Sequence, residues 1–198
     1  MDRLQVITNT QLWWQLARAS GIVSWVLLTL GVVWGLLLTT RLLREIDRPA
    51  WLLDLHRWLG TLTWATTAVH LATLLADSYV QFSVRDLLVP MSSDWKTGAV
   101  AWGILGFYLV VVVQVTSRWT KRLPRPVWHA IHLTSYPAFV SVSIHAFTAG
   151  TDARNHLFLV LGASLIVTVS VLTVSRFLLS GDPATKAAAA RERAPSRS

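Results

Sequence analysis

The sequence predicts an all-α, polytopic membrane helix bundle, and three observations carry that expectation. Of the 198 residues, 53% are apolar and only 14% charged, with a mean hydropathy of +0.48, too oily for a water-soluble domain of this size. Five stretches reach the roughly 20 apolar residues that a helix needs to cross a hydrocarbon core about 30 Å thick. Basic residues lie between these stretches and at the C-terminal end. The net charge of +8 therefore reads as a topology signal, and nucleic acid is not expected as a partner. Cysteine is absent, which excludes disulfides, thiolate ligands, iron–sulfur clusters and covalently attached haem.

The first span, 19–40, follows a polar, Trp-rich segment and lacks a small-residue cleavage site, so it reads as a retained anchor. The second, 51–76, and the fourth, 126–149, each open on a proline, Pro49 and Pro126, where a missing amide donor costs nothing. The third and fifth are 95–116 and 156–179. Residues 1–180 form one membrane domain; 181–198, with "ATKAAAARERAPSRS", reads as a disordered basic tail. Thirteen Lys and Arg fall on one side (Arg41, Arg44, Arg48 and Arg57; Arg118, Lys121, Arg122 and Arg125; Arg176, Lys186, Arg191, Arg193 and Arg197) and five on the other (Arg3, Arg18, Arg85, Lys96 and Arg154). By the positive-inside rule the N-terminus is outside and the C-terminus cytoplasmic.

Inside the spans the groups that titrate near neutrality are histidines: His56 and His70 in the second, and His129, His132 and His145 in the fourth, with His156 at the edge of the fifth. A single intramembrane imidazole can simply bond a neighbouring helix. Paired spacing says more. His56 and His70 are 14 residues apart, nearly four turns, on one face and about 21 Å apart along the axis. His132 and His145 are 13 apart and sit at matching depths in a helix running the same way. His56 is thus expected to face His132 near the cytoplasm, and His70 to face His145 near the outside.

Two stacked His–His pairs are what two bis-histidine haems require, and the only methionines, Met1 and Met91, lie outside the spans. Two imidazoles without a carboxylate or thiolate make a poor closed zinc or copper site. A proton relay would use the same residues but gives no reason for pairing. Thirteen residues of ideal helix leave His132 and His145 on different faces, and Pro137 between them is expected to kink or rewind the helix. His129 is the rival of His132, or a peripheral residue. Arg57 and Arg125 inside, and Lys96 or Arg154 outside, are candidates to meet haem propionates, although basic residues belong at cytoplasmic helix ends anyway. Gly60, one turn after His56, either leaves room for a macrocycle or permits close helix packing.

The motifs "LHRWLG", "WHAIHLTSY" and "HAFTAGTD", with the paired spacings of 14 and 13, resemble the ferric reductase-like transmembrane domain, the haem-binding core shared by ferric reductases, NADPH oxidases and the haem subunit of the periplasmic methionine sulfoxide reductase system. The resemblance covers about 51–179. It implies that His56, His70, His132 and His145 ligate two b-type haems. Larger relatives carry six helices and a cytoplasmic flavin and nicotinamide domain, whereas this chain shows no Gly-rich dinucleotide fingerprint.

The resulting expectation is an electron-transfer haem subunit in a bacterial cytoplasmic membrane. It would receive electrons from a flavoprotein, the only route by which flavin would enter, or from a quinol, and pass them to an extracytoplasmic acceptor. The outer connection 77–95 would dock that acceptor or cover the outer haem. The alternative is a non-redox transporter or assembly subunit using histidines for protons or metal.

Overall fold

The computed structural model describes residues 3–39 and 50–181, with side chains over 11–39 and 50–178. The connection 40–49, with Arg41, Arg44 and Arg48, and the tail 182–198 lie outside the described residues. Most of the rest is helical: α1 (Arg3–Thr39), α2 (Ala50–Ala76), α3 (Val84–Leu88), α4 (Thr97–Arg118), α5 (Arg125–Leu133), α6 (Ser135–Ala149) and α7 (His156–Gly181), with 3₁₀ turns at Thr120–Arg122 and Thr151–Arg154.

Four of these helices, over Gln11–Thr39, Ala50–Ala76, Thr97–Arg118 and His156–Leu178, are long and apolar enough to cross a membrane. The first begins well before the expected residue 19, because the Trp-rich segment ahead of it continues the same helix. The fourth expected span, 126–149, is divided at Thr134 into α5 and α6, each too short to cross alone. Pro137 is the physical reason. It has no N–H to give the Leu133 carbonyl, and the chain tightens just before it, Thr134 N–H donating to Ile131 O at 3.0 Å, three residues back rather than four.

The molecule is built from two antiparallel hairpins. In the first, α1 packs along α2, with Trp34 donating its indole N–H to Leu52 O at 2.8 Å. In the second, α4 packs along α5 and α6. α1 also packs on α6, where the buried Trp25 indole donates to Ser143 Oγ at 3.0 Å. α7 seals this side through Val32, Leu36, Phe139 and Val169. α2 and α6 hardly touch, and the space left between them is the cavity described below.

The connection 77–95 folds inward. Ser83 and Asp86 form a capping box at the start of α3, and Phe82 and Leu87 pack with Val100 and Ile104 of α4.

Candidate functional site

The histidines predicted to face each other do so. The His56 and His132 rings have centroids 6.0 Å apart, and those of His70 and His145 6.4 Å. An imidazole nitrogen lies about 1.1 Å from its ring centre and about 2.0 Å from a ligated metal, so two imidazoles on opposite sides of one ion put their centroids about 6 Å apart. Both pairs meet that separation. Among the described residues no cluster of three or more His, Cys, Asp or Glu side chains forms, so each pair stands as a two-nitrogen set, suited to an iron whose other ligands come from a macrocycle.

The tautomer of the second pair follows from its hydrogen bonds. His70 Nδ1 lies 2.7 Å from Ala17 O, and His145 Nδ1 2.8 Å from Ala99 O. A carbonyl only accepts, so each Nδ1 carries the proton and each Nε2 keeps its lone pair free. A hydrogen bond from Nδ1–H to a fixed carbonyl orients an imidazole and raises the basicity of its Nε2 as a ligand.

Three of the four rings also sit against a glycine. A Cβ on Gly21 would lie 3.0 Å from the His70 ring, one on Gly103 2.6 Å from His145 Nδ1, and one on Gly35 3.3 Å from the His56 ring. The register repeats. Ala17 and Gly21 seat His70, and Ala99 and Gly103 seat His145, the carbonyl one turn before the glycine in both hairpins. Fourteen residues along α1, the spacing of the histidines opposite, Gly31 and Gly35 seat His56. His56 Nδ1 lies beside the Gly31 backbone, buried and without a well-formed hydrogen bond.

At His132 the pattern changes. Its Nδ1 is 3.4 Å from Ser117 Oγ, and Trp128 stacks on its ring at 5.0 Å and 23°. The Trp128 indole nitrogen is buried without a hydrogen-bond partner among the described residues. His129 is exposed and shares a surface pocket with Lys121, Arg125 and Trp128. It is His132, not His129, that faces His56. Gly60 serves helix packing, for the Gln114 side-chain amide fills its notch and donates to its carbonyl.

Arg57 is exposed and paired with Asp54 at 3.0 Å. Lys96 donates to the α6 carbonyls of Thr148 and Ala149 at 3.2 and 3.0 Å, and Arg154 is exposed. The cation that lines the cavity around His70 and His145 is Arg18, joined to Asp152 through a two-pronged contact with Nε–Oδ2 at 3.1 Å. Phe82, Leu87 and Trp95 close the same cavity, so the 77–95 connection covers this site. No side-chain pattern in the sequence marks Arg18, Ala17 or Ala99 as part of this site. The signal available for the seats was the 14-residue repeat of glycines in α1, matching the histidine spacing in α2.

Comparison with protein families matches residues 11–143 to the ferric reductase like transmembrane component. That range holds His56, His70 and His132 and ends just before His145. No curated protein and no solved structure matches the chain.

Proposed function

The chain belongs to the ferric reductase-like transmembrane family and is an integral membrane protein with a redox, haem-binding character, and from that premise we propose that it is a di-haem b-type membrane cytochrome. His56 and His132 hold the inner haem, and His70 and His145 the outer one. α5 and α6 together make the fourth of five spans, with the N-terminus outside and the C-terminus in the cytoplasm of a bacterial cell. When bound, the two haems supply one-electron chemistry that connects a cytoplasmic flavoprotein or quinol to an extracytoplasmic acceptor.

The observation that carries this reading is the outer pair: two imidazoles with Nδ1–H committed to Ala17 O and Ala99 O, their rings 6.4 Å apart. The protein's part is to fix separation, tautomer and charge. Main-chain carbonyls hold the two rings at a constant orientation. Phe82, Leu87 and Trp95 exclude water from the outer site. At the inner end, Arg125 and the unpartnered Trp128 N–H are donors for haem carboxylates, with Arg57 available beyond its contact with Asp54.

A visible spectrum tests the reading. Protein purified from haem-replete cells should show, on dithionite reduction, a b-type spectrum with two haems per chain by pyridine haemochrome. A colourless preparation would overturn it in favour of imidazoles that serve protons or another metal.

A further inference from the structure

Two of the four imidazoles bond main-chain carbonyls, a third lies beside main chain, and the fourth does neither. Ala17 and Ala99 offer carbonyls to His70 and His145, and His56 lies beside the Gly31 backbone. Continuing the 14-residue register along α4 from Ala99 and Gly103 gives Val113 and Ser117. The Val113 carbonyl already accepts from Thr116 Oγ1 at 3.2 Å, and the position where the other three seats have glycine holds serine. His132 lies 13 residues before His145 rather than 14, with the break at Thr134 between them. Its ring is therefore displaced from the carbonyl position and meets the Ser117 hydroxyl instead.

We propose that Ser117 is the positioning residue of the inner haem site, its hydroxyl taking the place of the carbonyls that hold His70 and His145 and tuning His132 as an iron ligand. The proposal rests on the di-haem reading. A hydroxyl accepts one hydrogen bond from Nδ1–H, more weakly than a main-chain carbonyl held within a helix, and can rotate. Accepting that bond pushes electron density onto Nε2, favouring the ferric state; without it, the ferrous state gains. The acceptors of the outer ligands are main-chain carbonyls that no side-chain substitution removes, whereas the acceptor at this inner one is a side chain.

Potentiometric titration of the full chain in lipid nanodiscs, as wild type, Ser117→Ala and Ser117→Thr, tests this. Ser117→Ala removes one oxygen from a half-buried site, so folding is not at stake. Its expected effect is an upward move of one of the two midpoints, about tenfold in the ferric/ferrous equilibrium, which is about 59 mV for one electron. The other midpoint stays, and Ser117→Thr restores the wild-type value. In a His145→Ala background, where the inner haem remains, the shift must persist. A Ser117→Ala protein that titrates like wild type, or a shift confined to the haem lost with His145, overturns the proposal while leaving two haems in place. Wild-type protein without haem overturns the reading beneath it.

Discussion

His145 shows how tightly one side chain is specified. Its Nδ1 bonds Ala99 O at 2.8 Å, and the space its ring occupies is the space a Cβ on Gly103 would take. Gly103→Ala should therefore turn the ring out of its seat and lower retention of the outer haem by about 10- to 100-fold, measured as haem per chain. Helix propensity runs the other way, since Ala is favoured over Gly by about 0.5–1 kcal/mol in a helix. Gly98→Ala, on the same helix with nothing within 4 Å of an added Cβ, should retain both haems. Pairing makes a second demand: His70→Ala and His145→Ala should each remove the same haem, read as one lost step in a redox titration, and loss of different haems would refute the pairing. The two facing histidine pairs were legible in the sequence because an imidazole in an apolar run has few uses and its spacing survives folding. Their seats were not. A carbonyl belongs to every residue, so Ala17 and Ala99 carry no side-chain mark, and Arg18 reads as one more charge near a helix end until α1 is laid against the turn holding Asp152.

At the level of elements, the break at Thr134 reconciles a spacing of 13 with two rings that both face α2. A straight helix would set His132 and His145 about 140° apart around its axis. The tightened turn before Pro137 allows both to reach their partners. Pro137→Ala restores the missing N–H and favours a continuous helix, so it should raise helical order while weakening the inner site. The expected outcome is loss of the inner haem first on thermal challenge, and equal loss of both would count against this role. Composition and length made the long spans readable, and Pro137 announced a disturbance in the fourth. Its exact place was not readable, because it depends on which carbonyl the tightened turn satisfies. The short α3 gives a prediction of another kind. Hydrogen bonds from the Ser83 hydroxyl and then the Ser83 backbone hold the Asp86 carboxyl below its ordinary range. A depressed carboxylate contributes stability that is present above its unfolded pKa of about 4 and lost as pH falls through the lower folded value. Amide protection across Val84–Leu88 should therefore drop in acid below about pH 4, and Asp86→Asn should flatten that dependence.

On the scale of the whole molecule, the two hairpins are variations on one plan: a leading helix with small residues at intervals of 14, and a returning helix with histidines 14 or 13 apart. Facing the hairpins in parallel leaves α2 and α6 apart and the imidazoles turned into the gap. Such a frame matters to an electron carrier only if its two ends meet opposite compartments, so the proposed sidedness is the property to test. On the orientation proposed above, which rests on the sequence's asymmetry of thirteen basic residues against five between successive spans, the inner pair faces the cytoplasm. Because the chain has no cysteine, each introduced thiol is unique and its exposure can be read directly. Asp94, exposed in the connection between α3 and α4, and Thr120, exposed in the turn after α4, lie at opposite ends of α4, whose 22 residues span about 33 Å. In intact cells stripped of any outer barrier, Asp94→Cys should react with a membrane-impermeant maleimide while Thr120→Cys reacts only after permeabilisation. The opposite pattern would invert the molecule, moving the Arg125 and Trp128 pocket to the acceptor side and the 77–95 cover to the donor side. Equal labelling of both would show that α4 does not cross the bilayer.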